Sequence, residues 1–359
     1  MAVGPGLAQN QTTGLVCAHH HLYSALARGM PAPPRTPGSF LDILELVWWR
    51  LDVALDLDTI EWSAKLGALE ALERGTTCII DHHESPNAIE GSLEVITSAC
   101  AEVGVRVNAA YGLTDRHPGG FDQARGMTEG ARLGIEENRR HLAAGGRGMV
   151  GIHAAFTCSD ETLEAAASLA AEFGVGVHIH VAEGHADQGA ASRLADLTTN
   201  QWLIVHGVHL ADDHKLAGTI IHNPRSNMNN AVGYARPTRF TNPVGLGTDG
   251  IGADMVDEFR VAYVRLREDD VTESPDIVWA MLATNASLFP ESADDIVTWS
   301  YDDMDPWRLA FTTGVSPTHI SIAGETVMNN GVLTNVDAHE IRAKAAEAAQ
   351  RLFTKVETI

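Results

Sequence analysis

Short apolar segments recur along the chain at 15–21, 76–82, 106–113, 149–156, 176–183, 202–210, 218–224 and 243–250, giving eight candidate strands. The stretches between them are amphipathic. Segments 161–174 (ETLEAAASLAAEFG) and 91–104 (GSLEVITSACAEVG) return apolar residues every three or four positions and close on glycine, the pattern of a helix facing a core. Strand alternating with helix implies a parallel sheet, and eight repeats imply closure into a (β/α)8 TIM barrel rather than an open doubly wound sheet. No G-x-G-x-x-G follows the first strand, which weakens a dinucleotide-binding alternative.

Beyond Asp249 two helices, 254–266 and 275–288, are expected to complete the barrel wall. The texture then changes. Segments 295–301, 318–322 and 325–328 read as short strands, with a turn at Asn329-Asn330-Gly331 and a closing helix over 338–352. The expected organisation is an N-terminal remnant at 1–14, a metal-dependent barrel at 15–290, and a small β appendage with its helix at 291–359. No internal repeat is evident, and only 30–39 is enriched in proline.

With 359 residues, 45% of them hydrophobic, the chain can bury a large core without staples. Its four cysteines are scattered with no C-x-x-C pair, which argues against a disulfide framework or zinc ribbon and fits a reducing cytoplasm. The formal charge of −22 disfavours binding to phosphate backbones, so nucleic acid is not an expected partner. No run of 18 apolar residues is free of charge, and the N-terminus lacks a basic segment followed by an apolar one, so no membrane partner is expected either.

The strand ends carry the chemistry, since barrel active sites are built there. The first ends in Ala18-His19-His20-His21 and the second in Asp81-His82-His83; the fourth carries His153, the fifth His178-Ile179-His180-Val181-Ala182-Glu183, the sixth His206, the seventh His222 and the eighth Asp249. Residues two apart on a strand face one side, so His19 and His21 can chelate one ion while His20 points away. Imidazole suits zinc or iron, and the carboxylate of Asp249 can complete the site while leaving a position for water. A single buried histidine is ordinarily a hydrogen-bonded core residue; histidines at the ends of successive strands, with aspartate on the last, are hard to explain by packing. A bound ion lowers the pKa of its water and supplies hydroxide near pH 7, which makes hydrolysis the natural consequence. Glu183 could carry a proton between water and the substrate nitrogen, His206 could stabilise the developing oxyanion, and Asp249 could accept the water's proton.

At these residues the chain resembles the amidohydrolase superfamily, in its mononuclear deaminase branch of guanine, cytosine and S-adenosylhomocysteine deaminases and triazine hydrolases. The likeness covers almost the whole barrel through Gly14-Leu15-Val16-Cys17-Ala18-His19-His20-His21-Leu22, His153-Ala154-Ala155-Phe156-Thr157, His178 to Glu183, Val205-His206-Gly207-Val208-His209-Leu210, His222-Asn223-Pro224-Arg225-Ser226-Asn227-Met228 and Leu246-Gly247-Thr248-Asp249-Gly250. Within the branch it is most similar to the SsnA-type aminohydrolases, through Tyr23 to Gly29, Trp48-Trp49-Arg50-Leu51-Asp52, Ser226-Asn227-Met228-Asn229-Asn230 and Gly250 to Met255. The resemblance implies His19, His21, His180 and Asp249 as metal ligands, with Glu183, His206 and Asp249 managing protons. It implies one divalent ion, zinc first and iron second, because segment 149–156 offers no lysine for a binuclear bridge. It also implies a homo-oligomer, expected as a dimer. Only 14 residues precede Leu15, where the family has several dozen, so the appendage is expected to be incomplete, with open sheet edges.

His153 has the family's place for a substrate contact, and Arg28, His82, Arg225 and Asn227 are candidates to line the mouth. Trp48 and Trp49 either stack on a flat ring or belong to the core. The leading expectation is deamination of a purine, pterin or pyrimidine by metal hydroxide with release of ammonia. Ring opening of a cyclic amide shares the same ligands, and a degenerate barrel that binds without turnover is the alternative outside enzymes.

Overall fold

The computed structural model describes residues 6–116 and 126–359; the first five residues of the 1–14 segment lie outside the described residues. A short strand β1 (Gln11–Thr13) precedes eight strands, β2 (Leu15–His20), β3 (Thr76–His83), β4 (Arg106–Leu113), β5 (Val150–Ala154), β6 (Val177–Val181), β7 (Leu203–His206), β8 (Thr219–His222) and β9 (Val244–Leu246). These eight pair in chain order, all parallel, with helices between them. Their side chains are almost all buried, because helices cover the outer face and the barrel interior fills the inner one, so they read as apolar runs rather than alternations.

The barrel closes between β9 and β2. The amides of Thr248 and Asp249 donate to the carbonyl of His19 at 2.9 and 3.1 Å. Deeper in the same seam Asn285, from the helix Pro275–Leu288, replaces missing strand pairing with its side chain. Its Nδ2 donates to the carbonyls of Val16 and Leu246 at 2.8 and 2.7 Å, and its Oδ1 accepts from the amide of Leu246 at 2.8 Å.

The helices start and stop where local chemistry says they should. Asp160–Phe173 opens on Ser159, whose hydroxyl accepts from the amide of Thr162, and ends on Gly174 at φ +66°. Several expected boundaries shift, among them the strand expected over 243–250, which ends at Leu246. The strand expected over 202–210 stops at His206, because His206 and Gly207 turn to φ +71° and +61° and leave the extended region. The closing helix runs Ala338–Thr358 rather than ending at 352, since Val356 continues the buried stripe of Ile341, Ala345, Ala348 and Leu352. That helix packs on Leu57–Leu72 of the barrel wall, tied by Arg351 to Asp58 and by Arg50 Nη2 to the carbonyl of Val356 at 2.7 Å.

The appendage is a five-stranded antiparallel sheet in the order β1, β10 (Ile296–Trp299), β11 (Pro317–Ile322), β12 (Glu325–Asn329), β13 (Val332–Leu333). The segment before the barrel thus supplies a strand: Gln11 pairs with Thr298, and Trp299 Nε1 donates to Thr12 Oγ1 at 3.0 Å. One edge of β10 expected to be open is covered in this way. Among the described residues no helix is long and apolar enough to cross a membrane.

Candidate metal centre

His19 and His21 lie at the end of β2, His180 on β6, and Asp249 just beyond β9, at one mouth of the barrel. One ligand-capable atom from each lies within 4.8 Å of all the others. Asp249 Oδ1 is 3.0 Å from His21 Nε2 and 3.4 Å from His19 Nε2, and the Nε2 atoms of His180 and His21 are 3.2 Å apart.

The opposite ring nitrogens explain why Nε2 faces inward. His21 Nδ1 donates to the carbonyl of His82 and His180 Nδ1 to that of His153, both at 2.6 Å. A carbonyl only accepts, so each ring carries its hydrogen on Nδ1 and presents a lone pair at Nε2. His19 Nδ1 lies 2.8 Å from His178 Nε2, and its own Nε2 is buried without a hydrogen-bond partner. Burial holds His19 and His180 well below the usual imidazole range, in the neutral form a cation needs. His21 goes the other way: burial lowers it, but the hydrogen bond and charge of Asp249 outweigh burial and push it up to about 9. A buried carboxylate among neutral rings calls for a positive charge, and without a metal the proton on His21 provides it. Three inward imidazoles, one carboxylate and an orphaned Nε2 therefore fit a divalent ion of the zinc type.

Glu183, just past β6, and His206, at the end of β7, stand beside this set, with ligand-capable atoms of Glu183, His206 and Asp249 mutually within 4.8 Å. Glu183 Oε2 is 3.4 Å from His206 Nε2. Burial, reinforced by the charge of Asp249, lifts the Glu183 carboxyl well above its ordinary range, which favours its protonated form. His206 Nδ1 lies 2.8 Å from Asn227 Oδ1, an acceptor, which leaves Nε2 facing the site. Ala182, His206 and Asp249 all sit at positive φ, at +49°, +71° and +53°. Non-glycine residues in that region cost about 1–3 kcal/mol each, and here they turn the strand ends so that the functional side chains point into the mouth.

Above these residues opens a cavity. His153, Trp48 and Trp49 line it together with Phe40 and Phe156, and Trp48 packs against the main hydrophobic core as well. Phe40 follows the proline-rich loop, and the segment Leu44–Trp48 is a π-turn that swings both indoles inward.

Four candidates for the mouth lie elsewhere. His82 is fully buried beside the metal ligands, with Nε2 on the carbonyl of Ile152 at 3.0 Å, and does not line the cavity. Arg28 is exposed and pairs with Glu70 at 2.8 Å. Arg225 braces Glu258 and the carbonyls of Ile251 and Gly252. Asn227 reaches the site only through His206. Sequence reasoning also passed over residues that the fold brings in. Asp52 and Glu84 line the cavity, and Asn230 Nδ2 reaches Ser226 Oγ at 3.2 Å and Glu183 Oε1 at 3.5 Å. Asp52, Ser226 and Asn230 stood within quoted motifs, whereas Glu84 and the Arg116 that holds it carried no local signal.

The profile of the amidohydrolase family matches residues 12–289. Among similar proteins, a 5'-deoxyadenosine deaminase of Methanopyrus kandleri is 26% identical over 94% of this chain and 86% of its own length. A 5-methylthioadenosine/S-adenosylhomocysteine deaminase of Desulforudis audaxviator is 28% identical over 96% of this chain and 87% of its own. Of solved structures, a zinc complex of an atrazine chlorohydrolase from Arthrobacter aurescens superposes with a TM-score of 0.77 at 19% identity, covering 94% of this chain and 88% of the other. A zinc-bound adenosine deaminase from Xanthomonas campestris gives 0.76 at 18% identity, covering 96% and 86%. At such identities the structures establish a shared fold.

Proposed function

The chain belongs to the amidohydrolase family, and from that premise we propose that it is a metal-dependent aminohydrolase that removes an amino group from a nitrogen heterocycle and releases ammonia. The observation that carries this reading is the convergence of three inward Nε2 atoms on Asp249, with Glu183 and His206 beside them under a cavity walled by aromatic rings. His19, His21, His180 and Asp249 would hold one ion, zinc before iron, and a divalent ion there activates water at neutral pH.

The chain's own residues then divide the proton work. Asp249 takes a proton from water through a carboxylate oxygen, and Glu183, which burial disposes to carry a proton, delivers one to the leaving nitrogen. His206, with Nδ1 on Asn227 Oδ1, presents the acceptor Nε2 beside the attacking water and helps orient it. Water adds at the ring carbon, the exocyclic C–N bond breaks, and the nitrogen departs as ammonia while the ring keeps a carbonyl. Trp48, Trp49, Phe40 and Phe156 supply faces for a flat ring. The named activities of the two relatives point to an aminopurine as the first ring to try. We place the enzyme in the cytoplasm, in keeping with four buried free cysteines, and expect a dimer, which sedimentation would read.

The test is metal content joined to ammonia release. The purified chain, kept from chelators, should carry about one zinc or iron per protomer; a His19→Ala/His180→Ala double variant should carry almost none. The loaded chain should release ammonia from an aminopurine, aminopyrimidine or aminopterin without opening the ring. A chain that takes up no metal on reconstitution sinks the proposal, and ring opening without ammonia replaces it with cyclic-amide hydrolysis.

A further inference from the structure

Two turns that carry cavity residues meet at one buried carboxylate. Asp187 ends the single helical turn His185–Asp187, and both of its oxygens are committed to backbone. Oδ2 accepts from the amide of Ala182 at 2.8 Å and Oδ1 from the amide of Phe156 at 2.9 Å. Ala182 stands between β6 and Glu183; Phe156 follows β5 and lines the cavity. Both amides lie past the ends of their strands, so the barrel ladder does not fix them.

The Ala182 peptide is held on both sides. Its amide meets Asp187, its carbonyl accepts from the amide of His209 at 2.9 Å, and the residue sits at φ +49°. A non-glycine residue stays in that region only where its surroundings over-determine it. The β5 turn is braced from the same stretch of chain: Arg193, on the helix Ala190–Leu194, donates to the carbonyl of Ala155 and, through Nη2, to that of Cys158 at 2.8 Å. The stretch 185–194 thus grips the turn bearing Phe156, and its carboxylate also holds the residue before Glu183. Burial pushes the Asp187 carboxyl up to about 7 against the pull of the two amides and of Arg193. Ionised, it accepts both hydrogen bonds; protonated, it would turn an O–H toward an N–H.

We propose that Asp187 is a positioning residue, setting the Glu183 carboxyl against the aromatic wall at Phe156 so that the proton donor and the bound ring keep one spacing. The inference rests on the deaminase reading for what Glu183 does, but the clamp itself is measured without turnover. A displacement of about 1 Å at a reacting group can cost about a hundredfold in rate, which is why a carboxylate that touches neither metal nor ring matters here.

Hydrogen exchange, read by mass spectrometry on the metal-loaded chain at about pH 8, tests the clamp. Asp187→Ala should speed exchange of the Ala182 and Phe156 amides together, each by about tenfold or more, the worth of a hydrogen bond to a charged group. Asp187→Asn, whose side chain keeps one accepting oxygen, should speed one amide and leave the other, and serves if the alanine variant does not fold. Both variants should keep about one metal per protomer and lose about tenfold to a hundredfold in kcat with little change in KM, the signature of a group that matters only in the transition state. Asn242→Ala removes two comparable braces, to the carbonyls of Leu216 and Gly218 at the opposite end of the barrel, and should leave kcat unchanged. Unchanged exchange at both amides overturns the proposal, as does faster exchange with an unchanged kcat, loss of the metal in both variants, or a loss confined to KM, which would make Asp187 a ligand contact. Linked exchange in a parent chain that releases no ammonia from any heterocycle retains the clamp and removes the deaminase; ammonia release by the variants at the parent's kcat does the reverse.

Discussion

The hydroxyl of Ser226 donates to Oδ2 of Asp249, the carboxylate oxygen that does not face His19 and His21. Asn230 in turn donates to Ser226 Oγ and reaches Glu183, so one short polar chain connects the metal carboxylate to the acid beside it. Groups that orient a metal ligand usually matter about 10- to 100-fold in affinity or activity. Ser226→Ala is expected to lower kcat by about tenfold while the chain still binds one metal. An unchanged kcat on a purified substrate would show that Asp249 needs no such support.

His178 and His180 lie two apart on β6 and both face inward, yet they do different things. His178 Nε2 sits 2.8 Å from His19 Nδ1, beneath the site, and His180 Nε2 points into it. His178→Ala should weaken metal binding by about 10- to 100-fold in a chelator competition without abolishing it. Total loss of metal would make His178 a ligand; wild-type affinity would make it filler.

Asn285 satisfies two carbonyls and one amide in the seam between β9 and β2. Leucine there keeps the volume and removes every partner, leaving buried backbone groups unpaired. Each such group costs roughly 1–3 kcal/mol, so Asn285→Leu is expected to lose about 3 kcal/mol of unfolding free energy. Urea denaturation reads this directly, and a change below about 1 kcal/mol would mean that water or a neighbour fills the seam.

Burial raises Asp81 to about 7; the amide of Leu22 donates to its Oδ1 at 2.7 Å, and Oδ2 has no hydrogen-bond partner. The unfolded carboxyl titrates near 3.9, so between about pH 4 and pH 7 the folded chain binds more protons than the unfolded one. Stability from this group is complete below about pH 4 and is lost as pH rises through about 7, a change of a few kcal/mol. Asp81→Asn should flatten the fall in stability of the metal-free chain over that window. A variant with the same pH slope as the parent would show that Asp81 stays ionised in the fold.

Much of this protein is legible in its sequence, because the relevant physics is local. Two-residue alternation put His19 and His21 on one face of β2, apolar runs bounded by polar turns marked the eight barrel strands, and serine before and glycine after an apolar stripe framed the helix Asp160–Phe173. What the tertiary structure alone decided is which polar residues meet. Arg28 and Arg225 look like mouth residues in one dimension, but they turn away to Glu70 and Glu258, while Asp52 from the helix Trp49–Ala54, Glu84 from just past β3 and Arg116 from beyond β4 come together. His82 shares the H-H spelling of the first strand, yet its Nε2 is taken by the carbonyl of Ile152 and it does not line the cavity. Alternation fixes a side chain's face but not its height in the barrel. Height and partner come from strand register and closure, which place residues such as His19 and Thr248 side by side although more than half the chain separates them.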